Sequence, residues 1–154
     1  MRQPDHVSPE LGAKLKAANL QWEPAEGDWC YCEGGLVGVV WSIRRELYMS
    51  GPGPAQLRVS VPMSGGSTLP RMETASRCTW LPTTGQLMQE LEKRDCGSMP
   101  SRGIDKWVVS YWSQNKRRYA YHPELPEAVG HALLAVLESQ EEKGKAGHDS
   151  DSTD

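Results

Sequence analysis

Four cysteines and four histidines are the side chains in this sequence best suited to hold a metal or act as a nucleophile. Cys30 and Cys32 stand two positions apart, a spacing that puts both thiols on one face of an extended segment. Structural zinc sites instead pair their ligands in tight C-x2-4-C knuckles around turns. Here a single pair lies on a predicted strand, Cys78 and Cys96 are far along the chain, and no histidine spacing complements them. The thiols therefore read as small buried side chains, with no metal site and no cofactor expected. His6 and His148 fall in the terminal segments, and His131 is expected on the outward side of a helix. His122, beside Pro123 at the end of a predicted strand, is the histidine placed to edge a pocket.

The sequence contains neither a G-x-S-x-G nucleophile elbow nor an H-E-x-x-H pair. Ser64-Gly65-Gly66-Ser67 lacks the lysine that completes a P-loop, and Gly51-Pro52-Gly53-Pro54 is too proline-rich to open a dinucleotide-binding helix. The carboxylate pairs Glu23/Glu26 and Glu90/Glu92 read as surface residues. No catalytic residue is assigned, and an enzyme of unrecognised class ranks third among the functional readings.

The aromatic residues carry the positive signal. The chain has six tryptophans, five tyrosines and no phenylalanine, so every ring bears a polar N–H or O–H. Such rings fill cores when the polar end finds a partner, and they anchor interfaces when one side stays wet. Trp29 stands in Trp29-Cys30-Tyr31, while Trp107, Tyr111, Trp112, Tyr119 and Tyr121 fall in one predicted hairpin.

These residues require elements to position them. Ser8, Pro9 and Glu10 supply an N-cap, a first-turn proline and an acid at the positive end of a helix reaching about Asn19. A hairpin follows, with Trp29 to Glu33 and Leu36 to Ile43 flanking Gly34-Gly35. Ser50 to Pro54 and Met63 to Pro70 read as loops, with an alternating strand from Leu57 to Val61 between them. Cys78 to Leu81 is a short strand running into a helix that starts at a capping box, Thr83 with Gln86. A second hairpin pairs Lys106 to Ser113 with Arg117 to Tyr121 around Gln114-Asn115-Lys116. That register puts Trp107, Val109 and Tyr111 beside Tyr119 and Tyr121 on the helix-covered face. It leaves Trp112 stacked with Arg118 as the exposed contact. A last helix runs from Pro126 to about Gln140. The expected class is α+β: a mainly antiparallel sheet of about five to six strands, with three helices packed largely on one face.

Residues 1–140 are expected to form a single domain and 141–154 a disordered acidic tail. The tail's charge, −3, equals that of the whole chain, so the preceding residues sum to zero. A neutral body lacks the positive field on which nonspecific nucleic-acid binding depends. Local basic spots remain at Arg44-Arg45 and Lys116-Arg117-Arg118. No stretch approaches the roughly 20 apolar residues that span a bilayer, and residues 1–6 lack a signal-peptide apolar run. A cytoplasmic protein with reduced thiols and no membrane partner is the expectation.

Three segments carry a resemblance. Leu15 to Pro24 with Gly27-Asp28-Trp29, the stretch Thr79 to Leu87, and Pro126 to Leu134 are similar to a group of small uncharacterised bacterial proteins with a W-L-P-x-x-x-Q-L segment. Here that segment is Trp80-Leu81-Pro82-Thr83-Thr84-Gly85-Gln86-Leu87. Some members carry a pilus-assembly label, which this chain does not support, since it has no nucleotide-binding loop and no membrane segment. The resemblance implies a compact α+β domain and transfers no functional residue.

The resulting functional expectation is a protein-interaction or self-association module, with Trp29, Trp107, Tyr111, Trp112, Arg118, Tyr119 and Tyr121 as binding candidates. The alternative is a nucleic-acid or nucleotide-binding module in which Arg44, Arg45, Arg117 and Arg118 meet phosphates.

Overall fold

A computed structural model describes the backbone of residues 4–48 and 51–150. Among the described residues the protein is α+β, with three α-helices and eight strands in two antiparallel sheets. The chain divides into two compact units: Gln21–Pro82, and the segments on either side of it.

The Gln21–Pro82 unit holds β1 (Trp29–Cys32), β2 (Leu36–Tyr48), β3 (Gly51–Pro62), β4 (Thr68–Thr74) and β5 (Thr79–Trp80), in the order β4-β3-β2-β1-β5. The expected β1–β2 hairpin forms around Gly34 and Gly35, both at positive φ. Of the two stretches expected as loops, residues 51–54 and the end of the second, 68–70, are extended instead, while 63–67 form the expected loop. Residues 51–54 continue β3, with Gly51 and Pro52 paired to β2, while β4 covers β3 only from Gln56 onward. Prolines are tolerated there because one side of β3 has no neighbouring strand to receive an N–H. Pro70 lies in β4, an edge strand, for the same reason. Ser50 itself lies outside the described residues. The unit's core lies on one sheet face and comprises Cys30, Cys32, Val40, Leu57, Val59, Val61 and Cys78. Trp22, Leu36, Ile43 and Ala75 pack at its margin. The buried Asp28 carboxylate pins the entry loop, accepting from Trp22 Nε1 and from the Ala25 amide, each at 2.9 Å.

The flanking segments form the other unit, with α1 (Pro9–Ala17), α2 (Thr84–Lys93), β6 (Met99–Arg102), β7 (Trp107–Ser113), β8 (Lys116–His122) and α3 (Leu125–Ser150). Ser8 caps α1 by accepting from the Leu11 amide, and Asn19 turns the chain away at φ 67°. The Thr83–Gln86 capping box is complete: the Thr83 hydroxyl accepts from the Gln86 amide, and the Gln86 side chain accepts from the Thr83 amide. α3 packs against α1, α2, β7 and β8. Leu11, Leu15, Leu87, Leu91, Val109, Val129, Leu133 and Val136 are buried in this unit. The α3 backbone is helical to Ser150, and Glu141 accepts from the Asn19 amide side chain at 3.1 Å. Residues 151–154 of the expected tail lie outside the described residues. Among the described residues no helix is long and apolar enough to cross a membrane.

Candidate functional site

The β7–β8 hairpin determines which rings meet solvent. Gln114 and Asn115 both adopt positive φ, 55° and 62°, and Ser113 pairs directly with Lys116. This is a two-residue turn, whose twist suits the flanking strands. The three-residue turn expected around Gln114-Asn115-Lys116 is therefore one residue too long, and a shift of one sends every β8 side chain to the opposite face. Tyr119 pairs with Ser110 and Tyr121 with Val108, so both tyrosines leave the covered face on which they were expected. Arg118 pairs with Tyr111, and Arg117 is the residue opposite Trp112.

The corrected register separates two faces. The α3 side carries Val109 and Ala120 with the buried ring of Tyr111, whose hydroxyl is shifted up by burial. The other side is open. Trp112 is 46% exposed, Tyr119 52% and Tyr121 54%, and Met99 of β6, paired with Ser110, is 70% exposed. Half-buried Val108 and Ser110 lie between them. Two cations rest on these rings: Arg117 lies 5.4 Å from the Trp112 ring centroid and Lys106 5.0 Å from that of Tyr121. Trp107 is half-buried with Arg102 over its ring at 5.3 Å, and Arg118 is exposed. Trp29 is half-buried in β1, in the other unit, so the structure does not bring it to this face. The open face thus collects Trp112, Tyr119 and Tyr121 from the candidate set and adds Met99, Lys106 and Arg117. Alternation identifies such a face only when the turn length is known, and the Gln-Asn turn was the signal that could have supplied it.

A second grouping escaped the sequence. Strand β5 pairs with β1, Cys30 opposite Trp80 and Tyr31 opposite Thr79, and this brings Cys78 beside the Cys30/Cys32 pair. The three Sγ atoms lie within 4.8 Å of one another, and the residues are 0%, 0% and 1% exposed. The isolated-pair reading of Cys30 and Cys32 is corrected accordingly, because a long-range strand pairing supplies the third thiol. Hydrogen bonds from Cys30 and Cys78 hold the Cys32 thiol below its ordinary range, and Arg71 acts in the same direction. Donating to Cys32 raises Cys30, aided by its contact with Cys78 and by burial. The bond with Cys30 lowers Cys78, but donation to Cys32 and burial outweigh it, so Cys78 is raised overall. Cys96 is buried in the other unit and its thiol is raised by burial.

No family model, curated protein or solved structure matches this chain.

His122 also acquires neighbours. A ligating atom of each of His122, Glu127 and His131 lies within 4.8 Å of the others, and the two imidazoles stack at 5.9 Å. His131 is half-buried rather than on the outward side of its helix. Two of the donor atoms of this group are already engaged. His122 Nδ1 accepts from the Glu124 amide at 3.0 Å, and the buried Glu127 carboxylate accepts from the Ser8 amide. A neutral imidazole accepting at Nδ1 carries its proton on Nε2 and has no second lone pair to offer. The group therefore reads as a hydrogen-bonded tie between the segment before α1 and the start of α3. In the Gln21–Pro82 unit, Trp41 is 49% exposed under Arg58, beside Pro70, Arg71 and Met72 in a groove of about 240 Å³. The exposed Arg44 and Arg45 lie on β2, in a different unit from Arg117 and Arg118.

Proposed function

We propose that the chain is a protein-interaction module whose docking surface is the open face of the β6–β7–β8 sheet. The observation that carries this reading is the exposure of Trp112, Tyr119, Tyr121 and Met99 on one side of a sheet whose other side is filled by α3. Trp, Tyr and Arg dominate the energetic centres of protein interfaces, because large semi-rigid rings lose little entropy when covered. The cations Arg117 and Lys106 on this face suit a partner with acidic groups around an apolar centre.

The same cations weigh against base stacking. Arg117 and Lys106 already occupy ring faces of Trp112 and Tyr121, so a nucleobase would have to displace them. A protein partner can pack on the ring edges and the cation stems without that displacement. A photo-crosslinking amino acid at Tyr119 in living cells tests the reading. A discrete protein adduct is expected that disappears with Trp112→Ala and is absent when the crosslinker replaces Glu10 on α1. An adduct with the chain itself would identify a second copy as the partner. Adducts with nucleic acid alone, or equal labelling from both positions, would overturn the proposal.

A further inference from the structure

We infer that Cys30, Cys32 and Cys78 form a binding site for one zinc-class divalent ion. The inference stands apart from the docking surface, since it concerns the other unit. The sulfurs converge on one point instead of dispersing through the core as apolar fillers would. Ligands at the zinc–sulfur distance of about 2.3 Å place their sulfurs about 3.8 Å apart in a tetrahedron. Sulfurs already within 4.8 Å of one another need only side-chain adjustment to reach that spacing. The backbone supplies the arrangement: alternation along β1 projects Cys30 and Cys32 together, and the β1–β5 pairing positions the turn that carries Cys78. None of the three is in a disulfide.

Charge provides the second argument. Three thiolates and a divalent ion leave one excess negative charge, which is costly in a buried site unless compensated. Arg71 lies close enough to act on Cys32, and Glu73, 8% exposed, acts on Cys78. The two meet as an ion pair, Arg71 Nε to Glu73 Oε1 at 3.0 Å, without an aligned hydrogen bond. An apolar core has no use for a buried carboxylate paired with a half-buried guanidinium at its edge, whereas a thiolate-bound cation gives both a role. Arg71 offsets the excess charge, and Glu73 fixes its guanidinium at the edge of the site through their 3.0 Å ion pair. A soft, all-sulfur donor set selects zinc-class ions over magnesium or calcium.

The test uses the full chain. Cobalt(II) added to metal-free reduced protein should give a thiolate-to-cobalt charge-transfer band that saturates at one equivalent and is abolished by zinc. Cys78→Ser should weaken binding by at least about 100-fold, and Arg71→Met by about 10- to 100-fold. Cys96→Ser should leave the spectrum unchanged. A second measurement needs no variant: stripping the ion from wild-type protein with a chelator should lower its melting temperature, and zinc should restore it. Absence of the band, its persistence in Cys78→Ser, its loss in Cys96→Ser, or a melting temperature indifferent to zinc would each overturn the inference.

Discussion

Truncating Tyr111, Tyr119 and Tyr121 to alanine one at a time separates the observed hairpin register from its one-residue neighbour. Tyr111 is 4% exposed on the α3 side, so Tyr111→Ala removes a packed aromatic ring and leaves a cavity. Buried aromatic-to-alanine changes cost about 3–5 kcal/mol. Tyr119 and Tyr121 lie half in solvent on the open side, where the loss is limited to strand preference, about 1 kcal/mol or less. For Tyr121 the Lys106 contact adds about 0.5–1 kcal/mol. The expected gap is therefore about 2 kcal/mol or more between Tyr111→Ala and Tyr119→Ala, and about 1 kcal/mol or more between Tyr111→Ala and Tyr121→Ala. In the alternative register, with a three-residue turn, Tyr111 and Tyr119 face the same helix and their truncations cost similar amounts. Urea denaturation followed by circular dichroism measures the difference as a shift in midpoint at constant slope. Tyr111→Ala and Tyr119→Ala losses within about 1 kcal/mol of each other, or a larger loss for Tyr119→Ala, would refute the register reasoning.

Other expectations follow from single contacts. A Cβ at Gly38 would lie 2.4 Å from Val59 Cγ1 and 3.0 Å from the Ser60 carbonyl oxygen. Gly38→Ala should thus destabilise by about 1–3 kcal/mol, and adding Val59→Ala should cost less than the sum of the two single changes in a denaturation cycle. Thr83→Ala removes half of the α2 capping box and should cost about 1 kcal/mol, with hydrogen exchange rising first in the opening turn. Partial burial pushes the Glu90 carboxyl up, but hydrogen bonds from Arg94 and Lys93 outweigh it and hold the group below its ordinary range. Its stabilising contribution is present above the unfolded-state pKa and is lost as pH falls through the lower folded value. The stability difference between wild type and Glu90→Gln should accordingly shrink on acidification across the carboxylate range; a constant difference would remove Glu90 from the account.

What the sequence disclosed was local. The helix starts at Ser8-Pro9 and Thr83–Gln86 depend on side chains within three residues, and both appear as expected. The alternation of β7 put Val109 and Tyr111 on one face, as observed. The same reasoning failed across the Gln114-Asn115 turn, where a miscount of one residue reversed β8 and moved Tyr119 and Tyr121 from core to surface. Proline and glycine in 51–54 and at Pro70 signalled loops because local preference is blind to which strand lies at an edge. The thiol group was illegible for a related reason. Cys78 reaches Cys30 and Cys32 through a pairing between strands about 50 positions apart, and no local pattern encodes that.

The most direct test of the docking face is the affinity of wild-type protein and of Trp112→Ala for the partner recovered through the Tyr119 crosslink. A central interface ring contributes about 2 kcal/mol or more on truncation, so the variant should bind about 30-fold more weakly or worse. Its folding stability should change little, because nearly half of the ring is already exposed. Unchanged affinity in a folded Trp112→Ala protein would contradict the account.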